Sequence, residues 1–152
     1  MTLFLDTNIL IDFLLERQPF YPASAMIVSY AVEGKIRLGV SSLSVVTANC
    51  ICVERCKMPT DIYRRKMDFL RNCIEVCPVT SENIYSSYDA RWKDFEDGVQ
   101  YAVAKDYHAD YIVTRNARDF EDNDVSLLTA EQMCEAIKAG ECELGASSLR
   151  ER

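Results

Sequence analysis

Five short apolar runs, at residues 2–6, 36–41, 74–78, 110–114 and, more weakly, 125–128, punctuate stretches of helical character. Alternation of this kind marks βαβ units, because parallel strands need a long crossover and lie buried on both faces. It predicts the α/β class: a three-layer α/β/α fold around a central, mainly parallel sheet of four or five strands. Between residues 7 and 34 two helices are expected, broken near Gln18-Pro19, the second opening around Pro22 and stopping at Gly34. Residues 42–56 and 60–73 read as a helical pair split by Met58-Pro59, the second with a stripe of Ile62, Lys66, Phe69, Leu70 and Cys73. Helices at 81–91, 94–108 and 130–138 complete the set. No repeat or linker interrupts the pattern, so one domain is expected over 1–138, with 139–152 a frayed tail that has lost apolar periodicity.

Composition narrows the function. At 152 residues and 49% hydrophobic, the chain can bury a proper core, and disorder throughout is excluded. No apolar stretch approaches the ~20 residues that span a bilayer, and Met1-Thr2-Leu3-Phe4-Leu5-Asp6 lacks the basic start of a signal peptide. A protein of the cytoplasm, away from membranes, is the expectation. The seven cysteines (50, 52, 56, 73, 77, 134 and 142) contain no CxxC pair and have only His108 to help them hold zinc, so they read as buried, reduced thiols. As a catalytic base His108 is placed badly, near the C-terminal end of its helix. The net charge of −7 excludes a general nucleic-acid coat protein. An acidic nuclease with a local basic rim stays open, the rim candidates being Arg17, Lys35, Arg37, Arg64-Arg65-Lys66, Arg115 and Arg118.

Three groups of acids stand at element ends. Asp6 closes the first apolar run, Asp94-Phe95-Glu96-Asp97-Gly98 opens a helix, and Thr114-Arg115-Asn116-Ala117-Arg118-Asp119-Phe120 follows the fourth run. Taken singly, each reads more readily as a helix cap than as a ligand. Taken together they favour a ligand site, because open α/β sheets bind ligands beyond the carboxyl ends of their strands, and gathered carboxylates suit a hard divalent cation. On the helix over 94–108, the ~100° step per residue gives a buried face of Phe95, Val99, Ala102 and Val103. Asp94, Asp97 and Tyr101 fall on an adjoining face, and Glu96 points away to the surface.

Phe4-Leu5-Asp6-Thr7-Asn8-Ile9-Leu10-Ile11-Asp12 resembles the first motif of the PIN domains, the fold of many VapC-type ribonuclease toxins. Asp94-Phe95-Glu96-Asp97-Gly98-Val99-Gln100 resembles the third motif, and Tyr111 to Phe120 the last, with Asn116 where an aspartate often stands. The likeness runs from about residue 2 to 137. It implies an endoribonuclease dependent on Mg²⁺ or Mn²⁺. Asp6 and Asp97 would be metal ligands, Asn116 and Asp119 would complete the catalytic set, and Asp94, Thr7, Asn8 and Thr47 would support it. Arg115 would touch the RNA backbone. It also implies an antitoxin protein as partner, and a homodimer is equally compatible.

The second motif departs from the family. The glutamate expected on the helix after the second strand is replaced by Thr47, and neither Asn49 nor Glu54 occupies an equivalent position. Two carboxylates with waters can hold one Mg²⁺, so weak metal affinity is expected. The alternative function is a catalytically weak or inactive module that binds protein or RNA. A Rossmann-type binder is disfavoured by the lack of a glycine-rich turn after the first strand, and a receiver-like protein by the absence of a lysine near the last.

Overall fold

The computed structural model describes residues 1–117 and 124–140. Its five strands, β1 (Thr2–Leu5), β2 (Arg37–Ser41), β3 (Glu75–Cys77), β4 (Tyr111–Val113) and β5 (Ser126–Leu128), form one sheet in the order β3-β2-β1-β4-β5. Every neighbouring pair is parallel. Alternate side chains of a strand face opposite sides, and β1 shows why the sheet needs two covering layers. Leu3 and Leu5 enter one apolar cluster and Phe4 the other, while Val113 and Ile112 of β4 divide in the same way. Helices α1 (Thr7–Leu14), α2 (Tyr21–Val32), α3 (Ser42–Asn49), α4 (Thr60–Leu70) and α7 (Ala130–Lys138) build the first layer; α5 (Ser81–Asp89) and α6 (Phe95–Asp106) build the second. This is the three-layer α/β/α arrangement expected.

Short polar side chains start most of these helices. Asp6 caps α1, Ser41 caps α3 and Asp94 caps α6, while Thr80 and Thr129 form reciprocal capping boxes with Asn83 and Gln132. Pro22 lies in the first turn of α2, and Gly34, just past that helix, takes a φ of +71° that a side chain would resist.

Several details correct the expectations. The helix over 42–56 changes character at Cys50, and Cys50–Arg55 is π-helical. Ser44, Ala48 and Cys52 are all fully buried. Residues four apart drift by about 40° in an α-helix, and the wider turns reduce that drift, keeping Cys52 in line with the core. In α4 the buried residues are Tyr63 and Leu70, whereas Ile62 and Phe69 are exposed. Tyr63 is drawn inward because its hydroxyl donates to Val45 O at 3.3 Å. Cys52, Cys77 and Cys134 are buried, but Cys50 and Cys56 are exposed. Among the described residues no helix is long and apolar enough to cross a membrane. Helix α7 stops at Lys138 as expected, and from residue 141 on the tail lies outside the described residues.

Candidate active site

Strand β1 is the point at which the sheet changes direction of growth: β2 and β3 extend it on one side, β4 and β5 on the other. A crevice forms beyond the carboxyl ends of strands at such a switch point, and Asp6 is released there. Its backbone N–H still bonds Val113 O at 3.0 Å, which locks it to β4. Asp6 as a whole is only 5% exposed. One oxygen, Oδ1, accepts from the Thr7 amide at 2.7 Å, and Oδ2 accepts from the Thr114 hydroxyl at 2.9 Å. Burial pushes the Asp6 pKa up; the Thr114 and Thr7 hydrogen bonds pull it down, and the charges of Glu96 and Asp94 push it up again. Three acids therefore share one region of negative potential.

A buried polar network frames this carboxylate. Gln100 Nε2 donates to both Thr7 Oγ1 and Ser44 Oγ at 2.8 Å, and these two hydroxyls lie 2.7 Å apart. Ser41 Oγ donates to Ser44 Oγ at 3.0 Å, and Thr7 Oγ1 donates to Glu96 Oε1 at 3.2 Å. One ordering of protons satisfies every hydroxyl: Ser41 to Ser44, Ser44 to Thr7, and Thr7 to Glu96. The network ties the first turns of α1 and α3 to α6, so the strand ends are held by neutral groups and the charge is left to the acids.

The expected site residues are distributed as follows. Thr7 is buried within the network, and Asn8 is half-buried in the first turn of α1. Asp94 is the N-cap of α6, its Oδ1 accepting from the Asp97 amide at 3.2 Å, so the capping reading holds for it. Asp97 is half-buried in the same turn. Glu96 is exposed, as expected, yet its carboxylate reaches the Thr7 hydroxyl and acts on Asp6. The buried face of α6 is also rotated from the expected one. Phe95 is 37% exposed while Tyr101 is 4% exposed, because Tyr101 packs against Trp92 with ring centroids 5.3 Å apart and its hydroxyl accepts from Asp124 N at 3.0 Å. Thr47 is half-buried; the hydroxyl that α3 contributes to the network belongs to Ser44, one turn earlier. Asn116 is exposed, and its amide donates to Thr114 Oγ1 at 3.1 Å. Asp119 and Arg118 lie outside the described residues.

Most of the expected basic rim is answered by acids. Arg17 and Arg115 face Asp12, Lys66 pairs with Glu16, Arg65 with Asp61, and Lys35 with Glu33. Arg37 pairs with Glu75 at the opposite, amino-terminal edge of the sheet. Arg115 Nε is 3.3 Å from Asp12 Oδ2, with the guanidinium 4.4 Å from the Phe20 ring centre and the side chain 27% exposed. Ser44, Gln100, Thr114, Glu96 and Asp12 were not singled out from sequence. Thr114 had a signal, since it ends β4 as Asp6 ends β1, and Gln100 follows Glu96 by one helical turn.

The acids offer hard oxygens, the donor type that divalent cations such as Mg²⁺ take, and desolvation and like charge oppose ionisation of Asp6. Among the described residues no three of His, Cys, Asp and Glu group as ligands for one ion. Fold and site together define a parallel α/β protein with acids at its switch point. The PIN-domain family profile matches residues 2–118. Ribonuclease VapC1 of Aquifex aeolicus (strain VF5) is 26% identical over 139 residues, 87% of this chain and 92% of that protein. The crystal structure of VapBC2 from Rickettsia felis bound to a promoter DNA fragment has a similar chain, with a TM-score of 0.59 and 16% identity over 85% of this chain and 98% of that one. A toxin-antitoxin complex from Klebsiella pneumoniae also has one, with a TM-score of 0.59 and 21% identity over 86% and 98%. The chain belongs to the PIN-domain family.

Proposed function

We propose that this PIN domain is a divalent-metal-dependent endoribonuclease, acting in the cytoplasm as the toxin of a toxin–antitoxin pair. The observation that carries it is the buried Asp6 carboxylate at the switch point, destabilised in its charged form by burial and by Glu96 and Asp94. The relative named a ribonuclease supports the chemistry, and fold neighbours from VapBC2 and a toxin-antitoxin complex support an antitoxin partner; a second copy of the chain is a further candidate partner.

Asp6 and Asp97 would hold Mg²⁺ or Mn²⁺, with Glu96 close by and Asn116 and Asp119 oriented as water-mediated ligands. A cation bound there supplies a Lewis acid that acidifies water and offsets charge building on the phosphate. Asp6 would act with both its hydrogen bonds in place, the Thr7 amide and Thr114 hydroxyl fixing its plane. Thr7 holds Glu96, Asn8 stands one residue further along α1, and Asp94 fixes the first turn of α6, so the acids meet RNA already oriented. Arg115, still partly exposed, would offer a backbone phosphate contact. The 3′ oxygen is the leaving group, giving 5′-phosphate and 3′-hydroxyl ends.

The test is cleavage of end-labelled RNA with Mg²⁺ or Mn²⁺, with EDTA, and with Asp6→Asn. EDTA and Asp6→Asn should each abolish cutting; unimpaired cutting by Asp6→Asn refutes the site. Thr47 in place of an acid favours one second reading, a non-catalytic module. RNA binding without cleavage in excess Mn²⁺ would establish it.

A further inference from the structure

We propose that Asp12 is a positioning residue: through Arg115 it fixes the Thr114–Asn116 turn, and through that turn the catalytic carboxylate of Asp6. The proposal rests on reading Asp6 as the ligand of the nuclease site. Asp12 is completely buried on α1, and neither of its carboxyl oxygens has a hydrogen-bond partner among the described residues. The charges that answer it are Arg115 Nε, 3.3 Å from Oδ2, and Arg17 Nη1, 3.9 Å from Oδ1. Burying an ion costs several kcal/mol, and replacing a buried ion pair by apolar side chains is often neutral or stabilising. Stability is therefore a weak reason for an acid between Ile11 and Phe13 on the inner face of a helix. Geometry gives a stronger one.

Arg115 is held on two sides, by Asp12 and by the Phe20 ring 4.4 Å from its Cζ. It directly follows Thr114, whose hydroxyl does two things. It donates to Asp6 Oδ2 at 2.9 Å and accepts from the Asn116 amide at 3.1 Å. A closed path results, Asp12 to Arg115 to Thr114 to Asp6, starting and ending at α1. The Thr114 amide stays tied to Leu128 O at 3.0 Å. Among the described residues the turn beyond it has no other charged clamp, so releasing Arg115 loosens the Asn116 amide on the Thr114 hydroxyl and with it the aim of that hydroxyl at Asp6.

A double-mutant cycle on the full chain tests this. Asp12→Asn, Thr114→Val and the double variant are compared for kcat at saturating RNA and, on the same samples without RNA, for the Mn²⁺ dissociation constant by calorimetry. Removing a group that orients a ligand typically costs about 10–100-fold in metal affinity or activity. Asp12→Asn should lose about that much in both. Because the two residues act along one path, the double variant should fall within about threefold of the weaker single variant. Multiplicative losses overturn the proposal, as does a rise in KM with kcat and Mn²⁺ affinity unchanged, which would leave Arg115 its phosphate contact and no positioning role. Asp6→Asn separates the two readings. If it cleaves RNA and binds Mn²⁺ as the wild type does, the nuclease site fails and this proposal with it. If it loses both while Asp12→Asn changes neither, the positioning role alone fails. Should Asp12→Asn reduce the folded fraction, Arg115→Lys enters the same cycle with the same expectation, since it keeps the charge but loses the planar fork over Phe20.

Discussion

Replacing Gly98 by alanine sets two forces against each other within a single residue. Gly98 lies in the first half of α6, directly after Asp97. In a helix interior alanine is favoured over glycine by about 1 kcal/mol. Here, however, the added Cβ would stand 2.7 Å from Trp92 Cγ and 2.9 Å from Cδ1, well inside the ~3.5–4.0 Å at which carbon atoms attract. The ring cannot simply turn aside, because Trp92 Cβ itself would be 3.1 Å away and the indole is packed on Tyr101. Overpacking of this kind costs about 1–3 kcal/mol. Subtracting the helix gain leaves a net loss of about 0–2 kcal/mol, or up to about 4–8 °C in Tm for a chain of this size. Relief comes most easily by moving residues 92–94, and that shifts the Asp94 cap and Glu96. Trp92 is the chain's only tryptophan, so emission excited at the indole reports the surroundings of this one side chain. Gly98→Ala should shift emission to the red, lower the unfolding midpoint and slow RNA cleavage. A variant that is more stable, with unchanged emission, would refute the packing of Trp92 on Gly98.

Two further outcomes follow from the buried groups. Asp6 and Asp12 both have raised pKa values, burial being the main cause in each; such groups favour folding below the ordinary carboxylate pKa, and the contribution is lost as pH rises through the raised folded value. Metal-free protein should therefore lose stability from these groups from about pH 4 upward, and Asp6→Asn should raise the denaturation midpoint at pH 7 relative to that at pH 4; an unchanged relation between the two would refute the shift. Burial also pushes the Cys52 and Cys77 thiols up to about 11, while Cys50 and Cys56 are exposed. Brief iodoacetamide treatment at pH 8 should label Cys50 and Cys56 and leave Cys52 and Cys77 until denaturant is added, as peptide mass mapping will show; early labelling of Cys52 would refute the burial.

What could be read from the sequence was whatever depends on local pattern. Strand positions followed from apolar runs, since a central parallel strand such as β1 must be apolar on both sides. Asp6 and Asp94 were legible as helix caps, each a side chain able to accept from its own first turn. The misses came where a distant partner decides orientation. Glu96 is exposed as helical phase predicts, but its long side chain turns to Thr7, 89 positions away in sequence, a contact no local pattern marks. Phe95 and Tyr101 exchanged roles because Trp92, outside the helix, offered Tyr101 a packing surface. Asp12 was quoted only as part of a motif; no periodicity marks a buried acid whose partner is over a hundred residues away.

Charge placement joins the site to the whole molecule. A site for RNA usually draws on lysine and arginine, yet Arg17, Arg65, Lys66 and Arg115 are each paired with an acid and Lys35 and Arg37 sit near the far edge of the sheet. The buried framework around Asp6 is neutral, built from Thr7, Ser41, Ser44 and Gln100. On the proposed function, a bound cation would make this acidic site attractive to phosphate. The strain on Asp6 acts in the same direction. A carboxylate that burial and neighbouring acids make hard to ionise gains more from a divalent cation than a solvated one does, because the cation offsets both costs together. Under the same proposed function, a desolvated acid and neighbouring carboxylates would serve one end: a bound cation would offset their charge and leave the site able to hold a phosphate.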